Sequence, residues 1–250
     1  MPTLSEYLVQ ERSVFNSTWR LFQPEVKAFD LLDLTNKAVT KSINAGLALD
    51  ADVAHFMMQL WHVVHSYLRV SFLIVLRGKT QEAFAPLRTA IEMTAHLGTV
   101  GLSPAENSTI WFNQNKKPYK GKYKRIFEGS FPERIQGMAN LEKAYYHCCD
   151  IGSHAGHRQL AGRSGVDENT GEYVLYSLNA DGDSTCGALV YILNVVMDCL
   201  YVFHFCFRQT LTKEGFAPVN KTVKFSVEEI KRTISLRQKQ RQEFLKREKR

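Results

Sequence analysis

From Gly187 to Phe207 the chain runs 21 residues without a lysine or an arginine. A helix of that length can cross a bilayer. The run also holds Asn194, Asp198 and His204, and a carboxylate at mid-membrane costs roughly 2.5–3.5 kcal/mol on insertion scales. A helix at the centre of a bundle accommodates the same residues if its polar groups find partners inside the protein. The run therefore predicts an all-α helical bundle packed around residues 185–211, with no membrane partner. The other apolar run, 57–76, carries His62, His65 and Arg69 and fails as a span more plainly.

Helical periodicity extends through most of the sequence. Val26, Phe29, Leu32, Val39 and Ile43 recur near 3.6 residues, and so do Val53, Phe56, Met57, Leu60, Val64, Leu68 and Val75. Arg77-Gly78-Lys79 ends that second helix, and Thr80 can cap the next. A helix over about 80–100 contains Pro86, which predicts a kink just before Arg88. Ser103-Pro104 opens a short helix, and another is expected over 132–150. Between 156 and 183 glycines crowd in and Glu172–Leu178 is rich in strand formers, so a small β-hairpin-like excursion is expected there. Gly215 and Pro218 suggest a linker. The expected division is a bundle domain over 1–220 and a basic helix or tail over 221–250.

Residues 221–250 hold eleven lysines and arginines against four glutamates, which is the whole net charge of +7. The remaining 220 residues are neutral, so the pI near 9.1 describes one end of the chain. Few apolar residues follow Leu236, which predicts a solvated, mobile end. Five cysteines form no CxxC pair, and the N-terminus MPTLSEYLVQER lacks the apolar stretch of a signal peptide. Reduced thiols in a cytoplasm are the expectation, and no cofactor is implied.

Four constellations could carry chemistry. Arg88 and Glu92 stand one turn apart beside Phe84, Leu87 and Ile91, as a buried salt bridge or a phosphate-binding arginine. His147-Cys-Cys-Asp150-Ile-Gly-Ser153-His154-Ala-Gly-His157 packs titratable groups into a glycine-punctuated turn, without the ligand spacing of a zinc site. No metal is expected. Six cations, Lys116, Lys117, Lys120, Lys122, Lys124 and Arg125, interleave with Tyr119 and Tyr123. Lysines neutralise phosphates and tyrosines offer faces for unpaired bases; a solvated basic loop is the alternative. Finally, Tyr191, Asn194, Asp198 and Tyr201 form a polar stripe on the apolar helix, while His55, His62, His65 and Arg69 line the polar side of theirs.

The pattern of Leu87, Arg88 and Glu92, followed by Tyr145, Tyr146, Ser153, His154 and Ala155, resembles uncharacterised bacterial all-helical proteins similar to the HEPN superfamily. That resemblance spans about residues 50–210 and implies a HEPN-like bundle among helical ribonucleases and nucleotide-binding modules. Catalytic members carry their arginine and histidine on one segment; here Arg88 and His154 come from two. The expectation is a nucleic-acid-associated protein, with RNA as partner, acting as a metal-independent endoribonuclease in a defence or toxin setting. Arg88, Glu92, Ser153 and His154 are then the catalytic candidates, supported by Asn194, Asp198 and His157. The alternative is a non-catalytic interaction protein, a homodimer included, in which a buried Arg88–Glu92 pair holds the core.

Overall fold

The computed structural model describes residues 3–43, 45–153, 164–166, 173–175 and 182–248. Nine α-helices account for most of these residues: α1 (Leu4–Leu21), α2 (Gln23–Ile43), α3 (Ala51–Leu76), α4 (Phe84–Leu102), α5 (Pro104–Phe112), α6 (Lys117–Phe127), α7 (Met138–Cys148), α8 (Gly182–Thr210) and α9 (Lys213–Glu248). A π-helical turn, Cys149–Ser153, continues α7. Two short strands, β1 (Ser164–Val166) and β2 (Tyr173–Leu175), pair antiparallel with Gly165 opposite Val174.

The chain is all-α in class, and α8 is its axis. It packs against α2, α3, α4, α7 and α9. Leu189, Leu193, Val196, Leu200, Phe203 and Phe207 along it are sealed from solvent. Phe203 meets Trp61 of α3 at 4.2 Å between ring centroids and Phe207 at 4.5 Å. Among the described residues α8 is the one helix long and apolar enough to span a membrane. Its apolar residues face five other helices.

Local chemistry sets several of the helix starts. Thr3 and Glu6 form a reciprocal capping box on α1, and Asp50 caps α3. Pro86 makes no kink, contrary to the expectation. It is the third residue of α4, where a backbone N–H has no partner within the helix, so a residue without one is tolerated. Thr80 lies in the turn before α4, and Ala83 occupies the cap position without a side-chain bond.

The expected linker is helical. Gly215 and Pro218 lie inside α9, which runs on without a break through 220 and 221. Val219, Val223, Val227, Ile230 and Ile234 continue one apolar stripe that buries against α2 and α8. That stripe explains why a sequence with two helix-breaking residues stays helical. The start of the chain expected to be solvated is also anchored. Glu25 of α2, fully buried, receives a forked pair of bonds from Arg237 of α9, with Nη2 to Oε2 at 3.0 Å. The Arg237 guanidinium also lies over the Phe22 ring and donates to the Leu21 carbonyl.

The polar side of α3 departs from expectation as well. His55 and His62 are exposed, but His65 is buried and bonds Asp33 of α2 at 2.6 Å, alongside Arg69 at 2.5 Å.

Candidate functional site

Of the expected site residues, Arg88, Glu92 and the basic segment can be placed side chain by side chain. Ser153 is the last residue of the π-helical turn. His154 and His157 lie outside the described residues.

Arg88 is half-buried on α4 and does not pair with Glu92. Its Nη2 donates to the Tyr145 hydroxyl at 3.3 Å, and its guanidinium lies 5.3 Å from the centre of that ring. Arg88 Nε is buried and has no partner. The i, i+4 spacing allowed an ion pair, but α7 supplies an aromatic acceptor first. Glu92 lies near enough to act on both Arg88 and Tyr123 of α6, whose hydroxyl is pushed up by burial and then by Glu92. Among the described residues the buried arginine–carboxylate pair is Arg237–Glu25. Arg88 carries its charge beside a neutral phenol.

In the basic segment, Lys116 is the cap of α6 and the other five cations lie on the helix; all six are exposed. The two tyrosines turn inward. Tyr119, Tyr123 and Ile126 pack on the core and Phe127 is buried in it. Tyr123 stacks on Phe127 at 5.1 Å and meets Trp111 edge-on at 5.6 Å. Beneath them His96 of α4 is enclosed by Trp111, Tyr123 and Phe127, and burial drives it down to about 4. The tyrosines, both half-buried, thus fasten α6 to the bundle. Among the described residues no carboxylate comes within ion-pairing distance of any of the six cations. On α9, Lys231, Arg232, Arg237 and Arg241 each have an acidic partner, while Lys213, Lys221, Lys224 and Lys239 have none among the described residues.

The third site is a cleft between α7 and α8 that the sequence suggested only on its α8 side. Tyr191, Asn194 and Asp198 line one wall at i, i+3 and i+7, and Asn140, Lys143 and His147 line the other at the same spacing. The cleft encloses about 450 Å³. Gly137 brings the two helices together. Its φ of +93° favours glycine, and a Cβ there would come within 2.9 Å of the Asp198 carbonyl oxygen. Asp198 is 6% exposed, accepts one bond from Asn140 Nδ2 at 3.3 Å, and is pushed up to about 6 by burial. Tyr201, the fourth residue of the expected stripe, is half-buried and does not line the cleft.

On α7, Tyr145 and Lys143 are separated by roughly 200° around the axis. Arg88 and the cleft therefore lie on different sides of that helix. Asn194 and Asp198 do not support Arg88. Among the described residues no three His, Cys, Asp or Glu side chains gather as a metal site. Cys148 is sealed, and burial pushes its thiol up to about 12, which makes it a poor nucleophile or ligand. No family model, curated protein or solved structure matches this chain.

Proposed function

We propose that this protein is a nucleic-acid-associated helical module that holds the RNA phosphate backbone on α6. The observation that carries this reading is the set of six exposed cations on one short segment, without an acidic partner among the described residues and fixed to the core by the aromatic side of the same helix. Unpaired lysines keep their full attraction for phosphates, whereas cations already paired with carboxylates have less to gain. With Tyr119 and Tyr123 turned inward, binding relies on charge and is indifferent to base identity.

A cleavage activity is a second reading, favoured by one observation. The turn Cys149–Ser153, which immediately precedes His154 in the sequence, packs against α4, the helix that carries Arg88. In that reaction a 2′-oxygen attacks the adjacent phosphorus and the 5′-oxygen leaves, with His154 transferring protons and Arg88 stabilising the charge on phosphorus. Glu92 and Ser153 remain candidates beside them. The HEPN-like resemblance belongs to the same proposal, since α4 and α7, which carry Arg88 and Tyr145, pack directly on each other.

The test is salt-dependent binding of single-stranded RNA. Replacing Lys117, Lys120 and Lys124 together with glutamine should weaken binding and lower the dependence on log salt by about 2. Base composition should matter little. RNA binding unchanged in that variant removes α6 from the interface. Cleavage in the same incubations, lost in His154→Ala and Arg88→Ala with binding retained, supports the enzyme; intact RNA throughout leaves a binding module.

A further inference from the structure

The α7–α8 cleft has the opposite chemistry from α6. Its most buried polar residue is Asp198, 6% exposed, and no lysine, arginine or histidine among the described residues pairs with it. Removing a carboxylate from water is costly unless a cation or several donors replace the water. Here one amide supplies one bond, and only to Oδ1.

The neighbouring amides are turned the same way. Asn140 gives its N–H to Asp198, and Asn194 gives its N–H to the Val190 carbonyl at 2.9 Å. Among the described residues no donor reaches either amide oxygen or Asp198 Oδ2, which leaves all three as acceptors. At the cleft wall the His147 and Tyr191 rings stand 5.1 Å apart, providing flat faces of the kind on which a guanidinium stacks. Lys143 lies exposed at the rim. The cleft therefore has acceptors at its floor, aromatic walls and a positive charge at its mouth.

We propose that this cleft binds a guanidinium group, its planar N–H donors on Asp198 and the Asn194 oxygen and its plane against His147 or Tyr191. The forked donor set matches a carboxylate in a way a point-charge ammonium cannot. A ligand with a negative charge at its far end gains Lys143 as well, so an amino-acid-sized guanidinium compound fits best. The same chemistry is available from a free small molecule or from an arginine side chain of another protein.

Calorimetric titration with three probes separates these cases. L-Arginine should bind, and L-citrulline, which replaces the guanidinium with a neutral urea of the same shape, should bind at least about tenfold more weakly. N-acetyl-L-arginine amide lacks the carboxylate. Binding weaker than that of arginine assigns the site to a free small molecule, and equal or tighter binding assigns it to a protein side chain. Asp198→Asn should weaken arginine by at least about tenfold, while Asn194→Ala, on a half-buried side chain, should weaken it less and leave the fold intact. The proposal is overturned if arginine and citrulline bind alike, if Asp198→Asn binds arginine as the parent does, or if arginine gives no heat up to ~10 mM. None of these outcomes depends on RNA binding by α6.

Discussion

Asp198 and His96 are both moved by burial into the same acid range, and from opposite directions. Asp198 rises from 3.8 to about 6, so the folded protein takes up a proton there before the unfolded chain does. Its contribution favours folding below pH 4 and is lost as pH rises through 6. His96 falls from 6.5 to about 4, so the unfolded chain takes up a proton first. Its contribution favours folding above pH 6.5 and is lost as pH falls toward 4. Each difference corresponds to about 3 kcal/mol, so the two effects largely cancel between pH 4 and 6. Asp198→Asn should raise the melting temperature at pH 7.5 and make the protein markedly more acid-labile. His96→Leu should do the reverse on acidification, flattening or inverting the fall. Melting curves for both variants across pH 4–7.5 that track the parent would mean neither group titrates as its burial dictates.

At the scale of the element, α9 shows where a basic terminus stops being an appendage. Arg237 is the boundary residue, because it satisfies a carboxylate at the far end of the bundle. A chain ending at 237 should melt close to the full-length protein, whereas a chain ending at 236 strands Glu25 and should lose roughly 3–5 kcal/mol. In a protein of this size that is roughly 6–20 °C in melting temperature. Replacing Glu25 and Arg237 together with leucine should recover most of the loss. Equal melting temperatures for the two truncations would show that the pair contributes nothing. The stripe at Val219, Val223, Val227, Ile230 and Ile234 is readable as a helical face. The Glu25–Arg237 bond is not, because the two residues stand 212 positions apart and nothing local to either marks the other. Arg88 was misread for a similar reason. Its neighbour at i+4 suggested a partner, while the actual acceptor, Tyr145, arrives from a helix 57 positions away. The cleft was half legible, since Asn194 and Asp198 stand out against apolar surroundings. Asn140 and Lys143 do not, on a short helix whose polar residues are indistinguishable from a solvated face, and His147 stands out only with the titratable groups that follow it.

For the whole molecule, the apolar run around Leu193 and Phe203 announced the centre of the bundle because its length and its polar interruptions together permit little else. What periodicity could not supply is the set of helices that surround it. Most of them precede it: α2, α3, α4 and α7 are all made before residue 182, and each packs on α8. During synthesis the first 181 residues therefore carry helices that can pack on one another, α3 on α4 and α4 on α7, while the sides they turn to α8 stay uncovered. A fragment ending at 181 should show helical circular dichroism without a cooperative thermal transition, and should self-associate. A sharp melt from a monomeric fragment would contradict this. Until residues 182–210 have emerged, the nascent protein is a sticky, unfinished shell, which makes the interval before the late arrival of its own core the period of greatest dependence on chaperones.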